Sequence, residues 1–246
     1  MFYFRHAHLL QALVLSLLTL SPIGVYAQSS ETWRIRVGPS LQSEEAIRLA
    51  TGDLVEAGKQ LGLTLDVKAD SAAANSILVG DGTRNEETAR LLADGSLTLD
   101  PMEDPEGYQI KTLRTGETRT LVVAGGSVIG DAYGLYWILD RLRVYRRIPD
   151  LDVTRKPAMK VRFGAAWGRR GQGGSTKEQM HWSLRQGMNW VSGPNLLDLI
   201  PWDSEPEATL NRKNREDVKE LIAYAHGLHM KYFSFSNDFT YHPSLL

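Results

Sequence analysis

The sequence predicts an α/β fold laid out as two consecutive units. Three observations carry this. Strand signals alternate with helical stripes from Trp33 to about Leu142. A polar stretch ending in proline, residues 151–157 (LDVTRKP), then breaks the rhythm and reads as a linker. Beyond it comes a β-α-β-α-β series whose connections suit a parallel sheet.

The elements follow in order. Residues 33–38 (WRIRVG) are a short strand ending on glycine. Ser43 opens a helix, with Glu44 and Glu45 in the first turn, where the helix dipole favours acids. Its apolar stripe is Ile47, Ala50, Leu54 and Leu61, and Gly62 stops it. Residues 63–67 alternate apolar and polar, 76–80 (SILVG) read as a buried strand, and 86–92 as a short helix. Residues 108–111 and 120–124 read as strands joined through a turn at Gly116. A helix over 129–142 carries Tyr133, Tyr136, Trp137 and Leu139 around Gly134; a glycine so placed marks close packing on a sheet. In the second unit, 159–167 is a strand. Ser175 and Glu178 form a capping box for a helix through Met180, Leu184 and Met188. Residues 190–192 are the next strand. Asn214 caps a helix with stripe Val218, Leu221, Ile222 and Ala225, stopped by Gly227, and 231–236 (KYFSFS) are the third strand.

Composition narrows the function classes. Of 246 residues 42% are hydrophobic, too many for a disordered chain. Lys+Arg is 28 against Asp+Glu 29, so the overall charge gives no reason to expect nucleic acid or an anionic membrane as partner. With no cysteine there is no disulfide, no thiolate nucleophile and no sulfur-ligated zinc. The N-terminus reads as a secretory signal: Arg5, an apolar run over 9–20, a break at Ser21-Pro22, and cleavage after Ala27. A run of about 12 residues is too short to span a bilayer. The expected location is therefore secreted or periplasmic, with no membrane attachment after cleavage.

Two segments carry a family resemblance. VVAGGSVIGDAYGLYWILDRL, from Val122 on, resembles the accessory domain that precedes the catalytic barrel of alpha-glucuronidases and beta-hexosaminidases. Val161-Arg162 followed by Trp167, then Gly187-Met188-Asn189, then GLHMKYFSFSNDFTYHP from Gly227 resemble the first barrel strands of alpha-glucuronidases. The tryptophan is followed here by Gly168-Arg169-Arg170 where alpha-glucuronidases have Asp-Asn, and Arg162 by Phe163 where hexosaminidases have glycine. The resemblance implies a signal over 1–27, an accessory domain over 31–150 with a mixed sheet, and the first βα units of a (β/α)8 barrel over 158–246. A closed barrel needs at least ~200 residues, so the barrel part is expected to be incomplete. The implied activity is glycoside hydrolysis without a cofactor, on a polysaccharide such as xylan, with the catalytic carboxylates on later strands. A hexosaminidase-like hydrolase and a non-catalytic carbohydrate-binding protein are the alternatives.

The candidate substrate-binding residues are Arg162, Trp167, Asn195, Asn237 and Asp238. The resemblance makes Arg162 a sugar ligand, since a buried guanidinium needs a fork-shaped partner; a structural ion pair is the competing role. Trp167 could stack on a sugar ring or sit in the core. Asn195, Asn237 and Asp238 end strands, where they suit hydroxyl binding or turns. Asp198, Asp203 and Glu205 lie on loops and read as solvated acids. Gly125-Gly126 and Gly130 lack the spacing of a phosphate loop. His226 and His229 have no third ligand at metal spacing. Arg141, Arg143, Arg146 and Arg147 with Tyr145 form a basic cluster at a helix end, where the dipole welcomes cations.

Overall fold

The computed structural model describes residues 31–67, 75–164, 175–195, 199–201, 203 and 205–235. Nine strands and five α-helices are present among them: β1 Thr32–Val37, α1 Glu45–Gln60, β2 Thr64–Asp66, β3 Asn75–Val79, α2 Glu86–Ala93, β4 Tyr108–Thr115, β5 Thr118–Gly125, α3 Val128–Tyr145, β6 Asp152–Arg155, β7 Phe163–Gly164, α4 Lys177–Arg185, β8 Trp190–Asn195, α5 Glu207–Gly227 and β9 Lys231–Phe235. The mixed α/β class is as expected.

The first six strands form one sheet in the order β2-β1-β3-β5-β4-β6. β2, β1, β3 and β5 are parallel; β4 runs antiparallel to both β5 and β6. One face is covered throughout and the other over its centre. One presents Trp33, Ile35, Ile77, Val79, Leu121 and Val123 to α1 and α3. The other buries Leu78 and Val122 under Leu97 with Leu91, Leu92 and Leu99 beside them. The helix α3 lies so close to the sheet that a Cβ on Gly134 would come within 2.5 Å of Val123 Cγ1. That is the close approach its place in the helix predicts.

Four local readings are corrected. Residues 152–155, read as linker, are the edge strand β6, paired with β4 from Tyr108↔Arg155 to Lys111↔Asp152. The alternation Asp152-Val153-Thr154-Arg155 is a strand pattern that the following proline masks. The first helix has Glu44, not Ser43, at its N-cap. The capping box before α4 is Thr176 with Gln179, one residue later than expected. Ser175 instead pairs with Ser192, N–H to carbonyl at 2.9 Å and hydroxyl to hydroxyl at 3.2 Å. Asn214 is inside α5 rather than capping it, because the polar stretch from Glu207 is already helical. In its place the Glu205 carboxylate accepts the Thr209 N–H and hydroxyl at the helix start.

The second unit is a three-stranded parallel sheet, β7-β8-β9. Val191 of β8 is fully buried toward the helix side, and a Cβ on Gly164 would collide with Ser183 of α4. Met180, Leu184, Ala225 and Leu228 from the α4 and α5 side join Tyr133 and Tyr136 of α3 in one continuous core. The second unit therefore docks its helices on the helical face of the first.

Candidate functional site

β7, β8 and β9 run parallel, so their carboxyl ends lie at one end of the small sheet, where barrel enzymes place their chemistry. Asn195 ends β8, in register with Phe235 of β9, next to an irregularity in the ladder after Ser192. Trp167, Asn237, Asp238 and Asp198 lie outside the described residues. Asp203 is exposed, and Glu205 is held at the start of α5.

The sheet face turned away from the helices is aromatic. Phe163, Trp190 and Phe233 cluster there, with ring centroids 5.0 to 6.2 Å apart. Lys231 places its ammonium 5.2 Å from the Trp190 ring centroid. Phe163 is 60% exposed. The three rings come from three neighbouring parallel strands and share one face of the sheet.

Arg162 sits at the opposite end. It immediately precedes β7, at the amino end of the strand rather than inside it. Its Nε donates to Gly187 O at 2.6 Å and its Nη1 to Met159 O at 2.7 Å. Nη2 pairs with the Glu106 carboxylate and lies 3.4 Å from Tyr133 Oη. This is the geometry of a structural ion pair, with the guanidinium fork engaged by protein on every side. The expected strand position of Arg162 is thus corrected: a residue one step before the strand points into the junction between the two units.

Asn189 completes this junction. It is 3% exposed and donates to Glu106 Oε1 at 2.7 Å and Lys160 O at 2.8 Å, while its Oδ1 accepts the Arg162 N–H at 2.9 Å. Gly187, at φ +70, makes the turn that presents it. The Gly-Met-Asn stretch is therefore a hinge-pin of the fold. Tyr133 donates to Met188 O at 3.0 Å, and burial, then the nearby Glu106, push its phenol well above the ordinary tyrosine range. Further along the junction, His181 meets Asp53 at 2.8 Å and His229 meets Glu44 at 2.9 Å. No sequence signal singles out Glu106 or Asp53 for these roles. Asn189 has one, an amide between an apolar residue and a strand.

A second buried polar group lies at the carboxyl ends of β3 and β5. Asp131, fully buried in the first turn of α3, accepts the Gly125 N–H at 2.6 Å and faces Arg84 at 2.9 Å. Burial is the largest influence on it and raises its carboxyl to about 7, against the opposing pull of Arg84. The glycine turn before α3 thus holds a carboxylate of its own chain rather than a phosphate.

No protein-family model matches the sequence, and no curated protein matches it. Solved structures do. The chain is similar to a GH138 enzyme targeting pectin rhamnogalacturonan II, at 15% identity and TM-score 0.50, over 81% of this chain and 30% of that one. CpGH84D is similar at 12% identity and TM-score 0.49, over 82% of this chain and 33% of that one. The chain spans about a third of the length of the solved structures it matches. The likeness to the GH138 enzyme is one of fold: the chain shares its mixed α/β architecture with part of that structure.

Proposed function

We propose that this chain is the amino-terminal part of a secreted glycoside hydrolase of the alpha-glucuronidase type, acting on glycosyl bonds in a polysaccharide such as xylan. The observation that supports this best is the parallel β7-β8-β9 sheet. It carries helices on one face and an aromatic cluster on the other, and it stands on an accessory α/β domain. On this reading Phe163, Trp190 and Phe233 belong to the barrel interior. The same reading assigns substrate binding to Asn195, Trp167, Asn237 and Asp238. Hydrolysis needs two carboxyl groups, an acid and a base or nucleophile, ~5–5.5 Å or ~6.5–9.5 Å apart. The reading assigns them to strands beyond β9, and it needs no cofactor. Residues 1–27 are read as the signal, so the secreted protein begins at Gln28, which amino-terminal sequencing of exported protein checks.

The activity test compares the chain alone with the chain continued into a completed barrel, on aryl glycosides and glucuronoxylan fragments. The chain alone is expected to release no sugar above background, and the completed barrel to release a terminal sugar. Turnover by the chain alone that disappears in Asp238→Asn would overturn the assignment.

A further inference from the structure

Five arginines elsewhere in the described chain face carboxylates: Arg36, Arg84, Arg114, Arg119 and Arg162 are in ion pairs. The carboxyl-terminal half of α3 with the two residues after it, and the adjoining end of β6, differ. Arg141, Arg143, Arg146, Arg147, Arg155 and Lys156 are six cations with no ion pair among the described residues. The acids near them are Asp140 and, lining one cavity with Arg155 and Lys156, Glu103, Asp104 and Glu106; Glu106 is taken by Arg162, and Asp150, further along, by Arg114 and Arg119. The net charge of -1 for the whole chain therefore conceals a local surplus of positive charge.

Two features set this strip apart from an ordinary helix end. The helix dipole acts within the last turn, so it explains Arg143 but not Arg155 and Lys156, which come from a strand and the residue after it. The cations are also interleaved with ring and apolar surface. The guanidiniums of Arg141 and Arg155 lie 4.3 and 4.0 Å from the Trp137 ring centroid. Val144 and Tyr145 are 65% and 53% exposed. From Trp137 to Arg147 the strip extends about 15 Å along the helix direction.

We propose that this strip binds an acidic, uronate-bearing polysaccharide, its guanidinium forks on carboxylates and the Tyr145 ring against a sugar face. The proposal rests on the reading of the chain as part of a polysaccharide-degrading enzyme. A guanidinium presents two parallel donors that match a carboxylate, and arginine sheds water more readily than lysine. Tyrosine offers a large amphipathic contact at low conformational cost. The strip belongs to the accessory domain and lies apart from the carboxyl ends of β7, β8 and β9. It would hold a polymer near the enzyme without cutting it.

The test is electrophoresis of the whole chain through native gels containing polygalacturonate or neutral arabinoxylan. Retardation is expected in polygalacturonate alone, and it should fade at high salt. The triple variant Arg143→Ser, Arg146→Gly, Arg147→Ser should bind roughly tenfold more weakly, the sum of several weak exposed pairs. Glycine suits position 146, whose φ is +55. Arg155→Gln with Lys156→Gln is the second variant, and unchanged melting of either shows that the fold survives. No retardation in polygalacturonate, or equal retardation of both variants, would overturn the proposal. So would duplex DNA or phosphatidylserine vesicles binding as tightly as polygalacturonate, since the surface would then not select a polysaccharide. Retention needs no turnover. An inactive completed enzyme that is still retarded counts against the hydrolase reading only, and an active one that is not retarded counts against this strip only.

Discussion

The two sheets of this chain are built on the same principle and, among the described residues, covered to different degrees. The six-stranded sheet is covered by α1 and α3 on one face and, over β3 and β5, by the small cluster around Leu78 on the other. Among the described residues the three-stranded sheet is covered on one face only, and its other face shows Phe163 to solvent. Parallel strands are normally buried on both faces. The first unit thus owns its core, while the second borrows part of its core from α3 and, among the described residues, leaves an aromatic surface open. Polar groups at the junction fix how the borrowing is done.

The largest effect expected from this contrast is in the first sheet. Leu121 is fully buried between β3 and β4. Leu121→Ala should cost ~2–5 kcal/mol, read as a lower urea midpoint of the whole chain. A loss well under 1 kcal/mol would mean that this sheet is not the stable centre.

Asn189→Ala comes next. It strips Glu106 and the Arg162 N–H of a buried partner, which should cost about 1–3 kcal/mol. The effect should be local: limited proteolysis should cut sooner between residues 156 and 162, while the first unit keeps its melting temperature. Equal melting shifts in both units would show that the junction is part of one indivisible core.

Asp131 gives a pH-dependent version of the same test. Its folded carboxyl is raised to about 7 from the ordinary 3.8, chiefly by burial, so the fold favours the neutral form. That contribution is complete below the unfolded value and is lost as pH rises through about 7. The stability difference between wild type and Asp131→Asn should therefore shift in favour of the variant as pH rises from about 4 to about 8. A difference that stays flat over that range would contradict the assignment.

Phe163→Ala should have the smallest effect, under about 1 kcal/mol, because the ring is already mostly in water. A cost as large as that at Leu121 would mean that this face is covered.

Much of this is legible in the sequence, for identifiable reasons. Elements with a clean period can be read to within a few residues: the α1 stripe, the hairpin through Gly116 and the parallel β7-α4-β8-α5-β9 order. β6 escapes such reading because four polar-rich residues before a proline resemble a linker, and only pairing with β4 makes them a strand. The start of α5 escapes it because Glu207 to Lys213 lacks a strong apolar stripe. Arg162 shows itself as a guanidinium in need of a partner. Which partner it takes depends on Glu106, 56 positions earlier, and no local pattern carries that distance. The basic cluster at the end of α3 is visible in the sequence, but its enlargement by Arg155 and Lys156 requires the fold.

The contrast between the two sheets is tested most directly by amide hydrogen exchange on the intact chain. The amides of Ile77, Val79, Leu121 and Val123 should be the slowest to exchange, and those of Val191, Tyr232 and Phe233 faster by orders of magnitude, through local opening of the smaller sheet. Equal protection in β8, β9, β3 and β5 would contradict the account, since the second sheet would then be as complete as the first.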